Sequence, residues 1–261
     1  MHPAYKRSAI GRCVILAAFG VTAVSQLNIS VLASPEFVDF DGDGVSESVE
    51  IRENGNAGNT YFVYSSGKKS QPLAKLESVR STAEFKDVDH DGRCEAIARD
   101  SVFFGWKTSN ADSAMPLVIL RLHKKKFELA TELMRKPPPS KEFQDKMLAN
   151  WSNACTETYD RLAKDKLVEK FDKQTFYFAP EVWRDLLDLI YSGNSTLAFH
   201  LLDRFWQNKT YAGNLENRSD CAVGHTTKEQ FVGMFLKQLR HSEYIEGIRQ
   251  LNERSHHDLS N

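Results

Sequence analysis

The 261-residue chain has four cysteines, none in CxxC spacing, so nothing in it supports a zinc knuckle or a thioredoxin-type redox site. It also lacks HExxH, GxSxG and a Walker-type loop, the short signatures of zinc proteases, serine hydrolases and phosphate-cradling enzymes. Long hydrophobic runs are missing too. The apolar stretch from Cys13 to Val24 is too short to span a bilayer comfortably, and the polar residues Gln26 and Asn28 keep it from extending further. Acidic residues are absent before Glu36, whereas Lys6, Arg7 and Arg12 lie ahead of that apolar stretch.

This acid-free start has the three parts of a secretory signal: a basic beginning, the apolar core CVILAAFGVTAV, and small residues ending at Ala33. Residues 1–33 are therefore read as a signal peptide, which places the mature chain in the periplasm or outside the cell, with no membrane span once the signal is removed. Removal takes three of the 34 basic residues and none of the 35 acidic ones, leaving a chain more acidic than the formal −1. That balance argues against nucleic acid as a partner. Cys94, Cys155 and Cys221 remain. In an oxidising compartment Cys155 with Cys221 is the favoured pair, and three buried thiols are the equal alternative.

A composition of 41% hydrophobic and 11% aromatic residues is ordinary for a globular protein. The fold class read from its patterning is α+β. Residues 34–136 form an antiparallel β module, in which FVDF, SVEIRE, TYFVYSS, AEFKDV, EAIARDSVFFGW and PLVILRLHKKKFELATEL read as strands between turn signals. Within it, Lys124 to Lys126 mark a charged hairpin turn. Pro137 to Pro139 break the pattern, and residues 140–255 form an α-helical domain. Its expected parts are a helix from Ser140, a helical hairpin with Pro180 at one start and Gly193 at the turn, and a capped segment from Thr227.

The most informative stretch is FVDFDGDGVSESVEI. Its core, DFDGDGVSE at Asp39 to Glu47, recurs as DVDHDGRCE at Asp87 to Glu95, and the lead-ins EFVDFD and EFKDVD match as well. The spacing D-x-D-x-D-G-x-x-E suits calcium, a hard cation that takes several oxygen ligands from carboxylates and a backbone carbonyl of a loop bent by glycine. The first ligand set is Asp39, Asp41, Asp43, the Val45 carbonyl and Glu47. The second is Asp87, Asp89, Asp91, the Arg93 carbonyl and Glu95, with His90 and Arg93 adding positive character. Magnesium, which keeps more waters in a tighter octahedron, fits less well. An EF-hand requires glutamate at position twelve and flanking helices; Glu50 meets the first condition, Ala98 fails it, and both flanks alternate as strands do. The competing reading is two solvated turns, which aspartate and glycine also favour.

Over roughly residues 36 to 105 the pattern F-x-D-x-D-x-D-G-x-x-E resembles the FG-GAP and VCBS repeats of integrin-like propellers and bacterial exported proteins. The resemblance implies β-hairpins whose loops hold calcium for structural purposes, in modules that often mediate binding. Only two repeats are present, where a closed propeller takes about four to eight blades, so a small open sheet capped by helices is expected. The segment from FFGW to the prolines is also similar to bacterial exported proteins of unknown function.

Histidines 90, 123, 200, 225, 241, 256 and 257 are scattered, and Cys221 with His225 has no evident orienting group. The leading expectation is a non-enzymatic, calcium-stabilised binding protein whose partner is another protein or a cell-surface component; an inhibitor or immunity protein against a secreted toxin is one concrete version. The alternative is a hydrolase acting on cell-wall or surface material.

Overall fold

A computed structural model describes residues 38–67, 70–164, 177–207, 222–223 and 227–253. Residues 1–33, read as a signal peptide, lie outside the described residues, as do Cys221 and His225. No described helix is long and apolar enough to cross a membrane. The fold is α+β, with two antiparallel sheets and helices mostly in the C-terminal part. The chain divides into two compact units, Met1–Ala98 with Ile119–Glu128, and Arg99–Val118 with Leu129–Asn261.

The first unit holds a three-stranded sheet in the order β1 (Ser48–Glu53), β2 (Gly58–Tyr64) and β3 (Ala74–Val79), each pair antiparallel. β3 is absent from the sequence reading. Its alternation is real, with Ala74, Leu76 and Ser78 buried, but alanine and serine on the inner face make a weak hydrophobic signal. The second sheet runs β4 (Glu84–Lys86), β5 (Glu95–Arg99), β6 (Leu117–His123) and β7 (Lys126–Leu129). Lys124 and Lys125, both at positive φ, make the two-residue turn from β6 to β7, too short for anything but an antiparallel hairpin. The core is aromatic. Phe85, fully buried, meets Phe40 and Tyr61 edge-on at 5.2 and 5.3 Å, and Phe127 meets Phe40 at 5.7 Å.

The second unit contains α1 (Thr131–Met134), α2 (Lys141–Lys164), α3 (Pro180–Ile190), α4 (Ser195–Gln207), α5 (Lys228–Leu239) and α6 (Ile245–Asn252). A two-residue strand pair, β8 (Tyr177–Phe178) with β9 (Ala222–Val223), belongs to it as well. Pro180 opens α3, where a missing N–H costs nothing. Gly193, at φ +81°, turns the chain from α3 into α4, and a Cβ there would lie 3.0 Å from the Leu251 carbonyl oxygen. The capping box of α5 joins Thr227 to Gln230. Buried Trp151 donates its indole N–H to Asp185 Oδ2 at 2.7 Å, linking α2 to α3.

Three local expectations differ from the structure. EAIARDSVFFGW is a strand only as far as Arg99; the chain then turns, and Phe103 and Trp106 pack against Phe235 and Trp183. The end of PLVILRLHKKKFELATEL becomes the helical turn α1. The last helical run splits into α5 and α6, because Ser242 and its neighbours form a turn around a buried carboxylate, Asp100. The proline run accordingly separates α1 from α2 inside the second unit, and the chain enters that unit at Arg99 and again at Leu129.

Candidate metal-binding loops

Both acidic loops lie in the first unit, and their backbones are closed in the same way. Val38 bridges Glu47 antiparallel across the base of the first, and Lys86 pairs with Glu95 across the base of the second, which connects β4 to β5. In each, the terminal glutamate folds back onto the loop. Glu47 Oε2 accepts from the Phe40 N–H at 2.7 Å, and Glu95 Oε2 accepts from the Val88 N–H at 2.8 Å.

The aspartates repeat the pattern. Asp39 accepts from the Gly42 and Gly44 amides at 2.6 and 2.8 Å, and Asp87 from the Asp91 and Gly92 amides at 3.1 and 3.2 Å. Asp41 and Asp89 accept from Asp43 and Asp91, while Asp43 and Asp91 accept from the amides of Val45 and Arg93. Gly42 at φ +79° and Gly44 at φ +81° correspond to His90 at +61° and Gly92 at +92°. Two left-handed residues per loop bend the backbone so that successive amides point inward. The loops also touch each other: the Cys94 N–H donates to the Asp39 carbonyl at 2.8 Å, and Arg93 lies over Gly42.

The structure brings carboxylate oxygens of Asp39, Asp41 and Asp43 within 4.8 Å of one another, and does the same for Asp87, Asp89 and Glu95. Oxygens at about 2.3–2.6 Å from one calcium ion lie no more than about twice that distance apart, so both sets have a compatible span. Glu47 and Asp91 stand outside these closest sets. Glu50, the EF-hand alternative, is committed elsewhere: it pairs with Arg52 at 3.0 Å and accepts from Tyr64 at 3.2 Å.

The loops differ in electrostatics. Among the described residues no lysine or arginine pairs with Asp39, Asp41, Asp43 or Glu47. Burial, and then the neighbouring aspartates, outweigh the Phe40 hydrogen bond and push Glu47 up to about 7. In the second loop Arg121, from β6, donates through Nε to Glu95 Oε1 at 2.9 Å and reaches Asp89 and Asp91 through its terminal nitrogen. This arginine is missing from the sequence reading. Local spacing carries no trace of a partner that arrives from a distant strand.

Elsewhere, His90, His123, His200 and His241 are exposed, and His225, His256 and His257 lie outside the described residues. Cys94 is a buried thiol and Cys155 is disulfide-bonded, while Cys221 lies outside the described residues. The second unit holds a polar cluster that sequence patterning does not reveal. Asp100, 5% exposed, accepts from Tyr191 at 2.6 Å, from Ser242, and from the Val102 N–H at 2.9 Å. Its partners are hydroxyls and an amide, which suits a structural fastening.

No family model, curated protein or solved structure matches the chain.

Proposed function

We propose that the chain is an exported, calcium-stabilised binding protein without enzymatic activity, acting on another protein or a cell-surface component. The observation that carries this reading is the duplicated acidic loop. Its two copies close on the same glutamate-to-amide hydrogen bond, and the first crowds three carboxylates together with no ion pair to them among the described residues. Calcium bound by Asp39, Asp41, Asp43, Glu47 and the Val45 carbonyl would relieve that repulsion and fasten Val38 to Glu47 at the sheet margin. The role so assigned is structural, in keeping with the resemblance to FG-GAP and VCBS repeats, whose modules often mediate binding.

An inhibitor or immunity protein against a secreted toxin remains the concrete version of the binding role. Affinity capture with the mature chain as bait tests it. A partner retained in calcium, and lost both on chelation and with the Asp39→Ala/Asp43→Ala variant, is the expected result. Turnover of cell-wall material by the purified chain would overturn it.

A further inference from the structure

We propose that the second acidic loop is a metal-independent copy of the first, in which the guanidinium of Arg121 takes the place of a divalent cation. The inference rests on the calcium reading of the first loop only for its contrast; Arg121 and its partners stand by themselves.

Glu95 is fully buried, and a buried carboxylate is strongly unfavourable unless both oxygens find donors or a cation. Here both do. Oε2 takes the Val88 amide at 2.8 Å, and Oε1 takes Arg121 Nε at 2.9 Å. The terminal Nη2 of the same guanidinium then bonds Asp89 and comes to 3.5 Å from Asp91. One planar, permanently charged fork thus spans three of the four acidic side chains of the loop. Two of them, Glu95 and Asp89, belong to the set whose oxygens lie close enough together for a metal. A cation entering that set would have to take those oxygens from Arg121 and leave the guanidinium beside a second positive charge.

The first loop has a similar backbone scheme, but among the described residues Arg93 lies over its Gly42 without pairing with Asp39, Asp41, Asp43 or Glu47, so only the second copy is neutralised by ion pairs of its own. Arg121 reaches the loop from β6, next to β5, and the sheet order therefore fixes which loop receives it.

Calorimetric titration of the full mature chain with calcium chloride tests this. The native chain is expected to bind one equivalent, Asp39→Ala/Asp43→Ala none, Arg121→Gln two, and the combined triple variant one. Arg121→Lys, which keeps a charge at the loop, is expected to bind one. One equivalent bound by Asp39→Ala/Asp43→Ala with Arg121 intact would overturn the proposal, and that measurement needs no substitution at Arg121. So would an Arg121→Gln chain that folds and binds no more than the native one. A native chain that binds none while Arg121→Gln binds one would instead reject calcium at the first loop and leave this inference standing.

Discussion

Glu47 accepts a hydrogen bond from the Phe40 amide at 2.7 Å, and this contact closes the first acidic loop over a backbone bridge between Val38 and Glu47 itself. The glutamate is 4% exposed, so the loop is tied to the core, where Phe40 sits against Phe85 and Phe127. Glu47→Ala leaves a buried amide without a partner and is expected to destabilise the first unit by about 1–3 kcal/mol. Glu47→Gln keeps an acceptor and costs less. Urea denaturation of the two variants in chelator checks the order.

Asp100 is the corresponding fastening of the second unit. Asp100→Ala would strand the Tyr191 and Ser242 hydroxyls and the Val102 amide at once, for an expected loss of about 2–4 kcal/mol. Tyr191→Phe removes one donor and leaves two, so a loss of about 1–2 kcal/mol is expected. A double-mutant cycle should show non-additivity, because the two residues share one hydrogen bond.

Two buried tryptophans make an internal comparison. Trp151 donates to Asp185, whose carboxyl is held above its usual range by burial despite that bond, whereas the Trp183 indole nitrogen has no hydrogen-bond partner among the described residues. Trp151→Phe is expected to cost more than Trp183→Phe by about 1–2 kcal/mol, since only the first leaves an acceptor bereft. Thermal melts of both variants measure the difference.

Alkaline pH should weaken the second unit. Burial, then the nearby Asp100 charge, holds the Tyr191 hydroxyl well above the ordinary tyrosine value, and burial with Glu243 raises Tyr244. Each tyrosine stays protonated in the folded chain at a pH where the unfolded chain has released its proton. The stabilisation is therefore complete below about pH 10 and is lost as pH rises beyond it. Near-ultraviolet absorbance during a pH titration should show delayed ionisation, collapsing together with helicity.

How much of this could be read from the sequence depends on distance along the chain. The duplicated loops were visible because Asp39, Asp41, Asp43 and Glu47 bond to amides within a few residues of themselves, and spacing encodes such contacts directly. The same comparison separated Glu47 from Glu50, which the structure commits to Arg52 and Tyr64. The α3–α4 turn was visible for a similar reason, since Gly193 supplies the left-handed backbone the turn requires. Arg121, Asp100 and the β3 pairing were not. Arg121 meets Glu95 only through the order of strands, and Asp100 meets Tyr191 only once α3 is docked. Phe103 and Trp106 look the same in sequence whether they extend a strand or turn into an aromatic cluster.

Calcium-dependent thermal unfolding of the chain bears most directly on the central claim. At calcium concentrations about 100 times the dissociation constant, binding to the folded state alone contributes about 2.7 kcal/mol, or a rise of about 5 °C or more in the midpoint. The native chain should show that rise and lose it on chelation, and Asp39→Ala/Asp43→Ala should abolish most of it. A native melting curve that calcium and chelator leave unchanged would contradict the account.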